Sequence, residues 1–185
     1  MIYEVFIHKI DSDLFSTDDR KSEVCHDIND SMRHHLSDFK ITMSFQLTSI
    51  YDHTVYEALS KVVQKLLPQQ SFISSMMDTL ITRSKIEKAF LFDVISKIYI
   101  ATDSKAVNLS HYEICSELID VLIDVTCIYG VGKDGESTKF DKKSSSIIRL
   151  TNMNGKKFEN IVLYLREVDQ CLALVCLINE SDISK

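Results

Sequence analysis

Proline and glycine are scarce: one proline, Pro68, and four glycines among 185 residues, with no tryptophan. So few chain breakers exclude a Pro/Gly-rich linker or a low-complexity array. No run of about 18 uncharged apolar residues occurs, so no membrane-spanning helix is expected. A basic excess is also missing. Lys and Arg number 21 against 27 Asp and Glu, for a net charge of −6 and a pI near 5.5. That balance argues against a nucleic-acid surface. The five cysteines, Cys25, Cys115, Cys127, Cys171 and Cys176, include no C-x-x-C pair, and their number is odd. Neither a disulfide framework nor a zinc knuckle is supported; small buried hydrophobes in a reducing compartment fit better. The start, Met1 to Asp11, carries neither a basic region nor a small-residue cleavage site, so it is not a signal peptide. It is already an apolar alternating run, as if the chain began inside a fold.

What is present is a globular composition, 45% apolar and 26% charged, long enough for one or two domains. The first 67 residues read β-α-β-α. Ile2 to Ile7 is short and rich in strand formers. Thr17 is placed to cap a helix whose first residues, Asp18 and Asp19, suit its positive end. Val24, Ile28, Met32 and Leu36 continue at helical spacing. Ile41 to Leu47 alternates as a second strand, and Thr54 to Leu67 forms a second helix. This alternation predicts parallel strands joined by a crossover. Two strands cannot cover both their faces, so more sheet is expected than this half supplies.

Leu67-Pro68 is the predicted boundary, because a residue before proline avoids helical angles. The two parts are net −4 (7 basic, 11 acidic) and net −2 (14 basic, 16 acidic), so neither is a basic module. The second part reads α-β-β-α-β-β-β. Its first helix places Phe72, Ile73, Met76, Met77, Leu80 and Ile81 on one face. Strands are predicted at Lys88 to Asp93 and Lys97 to Thr102, with a turn at Val94-Ile95-Ser96. A long helix follows from Leu109 to Tyr129. Its acids Glu113, Glu117, Asp120 and Asp124 form a solvated stripe, and its apolar surface is broader than one sheet usually covers. A polar loop spans Gly130 to Ser144. Three strands close the chain: Ile147 to Leu150, Ile161 to Leu165 and Leu172 to Ile178, the first two joined by a turn at Asn152 to Gly155.

Two motifs mislead. Gly130-Val131-Gly132-Lys133-Asp134-Gly135 matches G-x-G-x-x-G, but a helix precedes it and a charged loop follows. A dinucleotide fingerprint needs a strand before and a helix N-terminus after. A P-loop fails as well, because Glu136 stands at the lysine position. His26, Asp30, His34, His35 and Asp38 offer two ligands on one helix face, but a third and fourth are lacking. A polar helix surface explains them; no metal site and no catalytic triad is predicted.

His8-Lys9-Ile10-Asp11 is more informative, because ligands of α/β folds bind beyond the carboxyl ends of strands. An N/H-K-x-D tetrapeptide there is the guanine-reading motif of Ras-like GTPases. A carboxylate accepts from both the ring N–H and the exocyclic amine of guanine, a donor pair adenine lacks. A lysine stem can lie along the base. Thr48-Ser49-Ile50 ends the next strand, where Ras-like proteins place the loop whose backbone N–H groups meet the guanine oxygen. Two motifs on consecutive strand ends reinforce each other.

The segments FIHKID, LTSIYDHTVYEALSKVVQKLLPQ, IEKAFLFDVISKIYIATDS, ELIDVLIDVTCIYG and LYLREVDQCLALVCLI together cover most of the chain. On them the sequence resembles the Rag family of small GTPases, C/D type, with His8 where most Ras-like proteins have Asn. The resemblance implies an α/β fold: the C-terminal half of a Ras-like P-loop GTPase domain (residues 1–67), then an α+β roadblock-type domain (residues 68–185). The phosphate-binding loop, switches and magnesium-binding residues would lie upstream of Met1, and the roadblock's closing helix, expected after Ile178, is read as missing. The resemblance also implies GTP or GDP as ligand, bound through His8, Lys9, Asp11, Ser49 and Ile50. Asp11 would hold the base edge, Lys9 flank the base and His8 brace the loop. It implies no catalytic residue in this chain, so GTP hydrolysis by the chain alone is not expected.

Partners implied are a Rag A/B-type GTPase, a lysosomal scaffold complex and TOR complex 1. The chain would be cytoplasmic, recruited to the lysosomal surface and touching membrane only through partners. The long helix and the strand beside it would form the dimer interface, with Ile119, Leu122, Ile98 and Ile100. The alternative is a stand-alone roadblock scaffold without nucleotide binding, against which His8 to Asp11 and the strand before them speak.

Overall fold

A computed structural model of the chain describes residues 2–12, 15, 17–39, 41–129, 145–150, 161–169 and 171–183. The glycine-bearing segment Gly130 to Gly135 and the expected turn at Asn152 to Gly155 lie outside the described residues. The architecture is mixed α/β and separates into two compact units, residues 1–62 and 63–185.

In the first unit, strands β1 (Ile2–His8) and β2 (Thr42–Thr48) pair in parallel, with Ile7 opposite Leu47 and His8 opposite Thr48. Helix α1 (Asp18–His35) makes the crossover between them. Its start is the one expected: Thr17 is extended, and its hydroxyl accepts the Arg20 N–H at 3.3 Å. Val24, Ile28, Met32 and Leu36 are half-buried, and α1 has no fully buried residue. Helix α2 (Thr54–Leu66) follows β2 and buries Ala58 and Ser60. Leu66, the last residue of α2, is 75% exposed.

The division between units falls inside α2, not at Leu67-Pro68. The end of α2 is tied into the second unit by a side chain: Gln64 Nε2 donates to the Tyr99 carbonyl at 3.2 Å. A proline limits the helix geometrically, but side-chain contacts decide to which core its last turn belongs.

The second unit carries one antiparallel sheet in the order β4-β3-β7-β6-β5. Its strands are β3 (Ile86–Asp93), β4 (Tyr99–Thr102), β5 (Ser145–Leu150), β6 (Ile161–Asp169) and β7 (Leu172–Asn179). Helix α3 (Gln70–Ser84) packs on β3 and β4, with Met77 and Ile81 buried against Ala89, Ala101 and Cys176. Phe72 and Met76, on the predicted face of α3, are instead exposed at 66% and 57%. The stripe that packs inward is Ile73, Met77, Leu80 and Ile81, spaced i, i+4, i+7, i+8.

Helix α4 (Leu109–Tyr129) contributes Tyr112, whose ring lies 5.7 Å from Phe92 and 6.0 Å from Tyr99, within an aromatic group that also includes Phe90. All four rings are at most 1% exposed, and the Tyr112 hydroxyl donates to the Lys97 carbonyl at 2.8 Å. Burying four aromatic side chains contributes on the order of 2 kcal/mol each.

The β3–β4 connection corrects two predicted positions. Strand β4 starts at Tyr99, because Lys97 is left-handed (φ 59°) and Ile98 still belongs to the turn, its carbonyl accepting the Asp93 N–H at 2.9 Å. The Asp93 carboxylate also accepts the Ser96 N–H and hydroxyl. Ile98 therefore lies outside the edge strand. A bulge then sets Phe92 opposite Tyr99 and Leu91 opposite Ala101, leaving Ile100 as the extra, half-buried residue.

Of the interface residues that the resemblance implied, Ile119 is 0% exposed and Leu122 is half-buried. Burial of α4 ends there. Val121, Val125, Ile128 and Tyr129 are exposed, so the apolar excess read from the sequence lies on the last turns of the helix.

Residues 180–183 form a short helix, α5 (Glu180–Ile183), directly after β7. Asn179 starts it, its side-chain oxygen accepting the Ser181 N–H and hydroxyl.

One ion pair is enclosed in the second unit. Lys88 Nζ lies 3.1 Å from Asp103 Oδ1, with their side chains 3% and 0% exposed. The same ammonium donates to the Lys105 carbonyl at 2.6 Å, and Asp103 accepts the Ala89 and Lys105 N–H groups, each at 3.0 Å. Desolvation lowers the Lys88 pKa, and Asp103 opposes that shift.

Candidate functional site

The carboxyl ends of β1 and β2 stand side by side because their parallel register sets His8 against Thr48. Every nucleotide residue named from the sequence follows within three positions of those ends. Thr48 and Ser49 are fully buried beneath the loops. The Thr48 hydroxyl donates to the Ile7 carbonyl at 3.4 Å, and His8 Nδ1 lies 3.1 Å from the same hydroxyl. The Ile10 N–H donates to the Thr48 carbonyl at 3.4 Å, and the Ile10 side chain is buried at 6% exposure. Ile10 thus pins the loop and leaves its neighbours Lys9 and Asp11 at the surface.

The two motifs meet at one hydrogen bond. The Ser49 hydroxyl donates to Asp11 Oδ1 at 2.5 Å, across 38 positions of sequence. That bond is the main cause of a lowered Asp11 pKa. Desolvation opposes it, and the His8 and Lys9 charges add to it. The carboxylate is therefore held ionised and oriented while remaining exposed.

Ser49 is otherwise occupied. Its N–H donates to the Thr54 hydroxyl at 2.7 Å, and its own hydroxyl oxygen accepts the Tyr51 N–H at 3.1 Å. Ser49 thus positions the site and presents no backbone donor of its own. Between these anchored groups, the Ile50 N–H has no hydrogen-bond partner among the described residues, and the Ile50 side chain is 57% exposed.

The sequence reading missed Thr54 and Asp52. Thr54 donates to Asp52 Oδ1 at 2.6 Å and to the Ser49 carbonyl at 3.4 Å, locking the loop onto the start of α2. Asp-x-Thr before a helix is a recognisable capping signal. Strain gathers here too: Lys9 (φ 62°) and His53 (φ 60°) are two of five left-handed non-glycine residues among those described. Such residues cost about 1–2 kcal/mol each and persist only where the surroundings hold them.

Asp11, the Ile50 N–H and the exposed Lys9 suit a planar heterocycle that offers paired donors on one edge and an acceptor beside them. That is the edge of guanine, so the residues present fit the base. Across β2, a groove of about 480 Å³ is lined by Asp18, Lys21, Ser22, Cys25, His26, Asn29 and Leu47. His26 Nε2 lies 3.2 Å from Asp30 Oδ2, and the His34 and His35 rings meet edge-on, but no three potential metal ligands converge among the described residues.

Residues 1–119 match the protein family described as the Gtr1/RagA G protein conserved region. The chain is 49% identical over 188 residues to the Ras-related GTP-binding protein C of Homo sapiens, covering all of this chain and 45% of that protein. It is 49% identical over 186 residues to the Ras-related GTP-binding protein D of Mus musculus, covering 99% of this chain and 39% of that one. The GTP-binding protein gtr2 of Schizosaccharomyces pombe is 42% identical over 188 residues, covering 98% and 57%. Myxococcus xanthus MglB superposes with a TM-score of 0.42 at 16% identity, over 59% of this chain and 76% of that one. The chain belongs to the Gtr1/RagA G protein family. Its curated relatives are of the Rag C/D and Gtr2 kind, as the sequence resemblance implied, and it spans less than half the length of the mammalian ones.

Proposed function

We propose that this chain is the guanine-reading and partner-pairing segment of a Rag C/D-type GTP-binding protein. The observation that carries the reading is the Ser49–Asp11 hydrogen bond, which joins two strand-end motifs into one exposed, ionised carboxylate. Asp11 takes the base edge, the Ile50 N–H takes its oxygen, Lys9 flanks the base and His8 braces the loop through Thr48. GTP or GDP is the ligand, and the phosphate and magnesium contacts belong to parts of the parent protein that this chain does not supply. Base contacts alone leave most of a nucleotide in water, so the affinity of the chain for GTP is weaker than about 10 μM.

Residues 63–185 act as a roadblock-type domain. They pair with a Rag A/B-type GTPase through the exposed end of α4 and the edge strand β4. The heterodimer is cytoplasmic, is held at the lysosomal surface by a scaffold complex and relays amino-acid availability to TOR complex 1.

The base-reading half is tested by amide NMR of residues 1–185 with guanosine monophosphate or adenosine monophosphate at millimolar concentration. Guanine should shift the Asp11, Ser49 and Ile50 signals, and adenine should leave them in place. Equal responses to both, or none to either, would sink the reading.

A further inference from the structure

Every polar group of Ser49 is engaged, and the start of α2 supplies partners for two of the three. The Ser49 hydroxyl serves Asp11 and the Tyr51 N–H. Its carbonyl accepts the Val55 N–H at 3.3 Å, and its own N–H donates to the Thr54 hydroxyl at 2.7 Å. Ser49 is 0% exposed, so a group released there gains no water in exchange.

The Thr54 hydroxyl has one proton to give and two acceptors in reach. Asp52 Oδ1 lies at 2.6 Å and the Ser49 carbonyl at 3.4 Å. The nearer acceptor is a carboxylate, which makes the stronger bond. With the proton turned to Asp52, a lone pair is left for the Ser49 N–H. Asp52 Oδ1 also accepts the Thr54 N–H at 3.2 Å, closing a turn through His53, which is left-handed at φ 60°. The donors thus run in one direction, from the Ser49 N–H through the Thr54 hydroxyl to the Asp52 carboxylate. Bonds in such a chain strengthen one another.

We propose that Asp52 and Thr54 are positioning residues for the base, setting the edge contacts through Ser49 without touching the ligand. The inference rests on the guanine reading above and adds what holds that site in register. Asp52 orients the Thr54 hydroxyl, and the hydroxyl fixes the Ser49 backbone. Ser49 then carries both edge contacts, Asp11 by its hydroxyl and the Ile50 N–H by its next peptide group. A residue that only started α2 would affect the stability of the helix and leave base affinity alone, so the two roles separate by experiment.

The test titrates residues 1–185 with guanosine monophosphate and follows the Asp11 and Ile50 amides by NMR. Thr54→Val keeps the shape and removes the hydroxyl; it should weaken the nucleotide about tenfold, and Thr54→Ser should restore it. Asp52→Asn keeps an acceptor without the charge and should weaken it about threefold. Lys61→Gly, at an exposed position inside α2, loosens the helix by propensity alone and should leave the affinity unchanged. Without ligand, the Asp11 carboxyl should titrate higher in Thr54→Val than in the unmodified chain, because a released Ser49 no longer holds it.

If the unmodified chain responds to guanine but Thr54→Val binds equally well, the positioning role is refuted and the edge reading stands. If Lys61→Gly weakens binding as much as Thr54→Val does, or Thr54→Ser fails to restore it, the role is refuted as well. Should Thr54→Val fail to fold, Asp52→Asn decides, and unchanged affinity there overturns the proposal. If guanosine monophosphate shifts neither signal in the unmodified chain, the guanine reading and the positioning role fall together.

Discussion

Replacing Asp103 by Ala should be among the most damaging single changes available in residues 63–185. The carboxylate is wholly buried and serves three donors: the Lys88 ammonium, the Ala89 N–H and the Lys105 N–H. Without it the Lys88 charge, 3% exposed, keeps the carbonyls of Lys105 and residue 103 and the face of the Phe90 ring 5.4 Å away. Breaking a buried pair from one side costs about 3–5 kcal/mol, because a charge stays in low dielectric uncompensated. The Ala89 N–H, on a fully buried residue, loses its acceptor as well, which places the expected cost at the upper end.

Lys88→Met should cost less. Asp103 would keep two backbone donors, and the Met side chain refills most of the lysine volume. The Lys88→Met/Asp103→Ala double variant should be no worse than Asp103→Ala, since the stranded charge is gone. Urea unfolding followed by near-ultraviolet tyrosine circular dichroism reports on Tyr99 and Tyr112, which lie in the same unit. A cost for Asp103→Ala below about 1 kcal/mol, or additive single variants, would refute the view that the pair is enclosed and coupled.

Three further outcomes follow from the same reasoning. Ser49→Ala should raise the Asp11 pKa toward the ordinary carboxylate value, because its largest lowering influence is removed; carboxyl-carbon NMR titration reads this directly. The sign follows: with a folded-state pKa below the unfolded one, Asp11 contributes stability above the unfolded pKa, and that contribution is lost as pH falls through the folded value. In Ser49→Ala the window should narrow, and an unchanged titration curve would count against the hydrogen bond. Thiol labelling at pH 8 should modify exposed Cys127 quickly and spare Cys115 and Cys176 until unfolding, since burial raises both thiols, Cys176 to about 12; mass spectrometry of labelled peptides would show the contrary. Finally, Ile119→Asp should unfold residues 63–185 at a cost above about 3 kcal/mol, because a carboxylate would enter a fully buried position. Leu122→Asp should keep the fold and lose pairing with a Rag A/B-type partner, which sedimentation with and without that partner resolves.

The helices and strands were legible wherever the local signal was strong. Thr17 capped the helix it was expected to cap, and α4 runs from Leu109 to Tyr129 as its periodicity predicts. The edges were less legible. The predicted strand ends at Leu165, yet β6 continues to Asp169, because Glu167 and Asp169 find register partners in Ala173 and Leu172. Strand β4 loses Lys97 and Ile98 to a turn built by the Asp93 side chain. Residue type is a weak guide in both cases, since pairing across strands outweighs local propensity.

For the site, the sequence by itself determined that a lysine, a carboxylate and a serine follow two strand ends, because an H-K-x-D and a T-S-I run can be read from composition and order alone. It also determined the family, since the resemblance extends over most of the chain. Only the tertiary structure decided what those residues do to one another. Ser49 and Asp11 are 38 positions apart, and no local rule links them; the parallel register of β1 and β2 brings them to 2.5 Å. The same holds for burial. Ile119 and Leu122 look alike in sequence, three positions apart on one helix. Yet one is sealed and the other partly open, because the inner face of α4 is buried only over its N-terminal turns. A helical repeat specifies which side of a helix is apolar, and the extent of the surface it meets specifies how far along that side is covered.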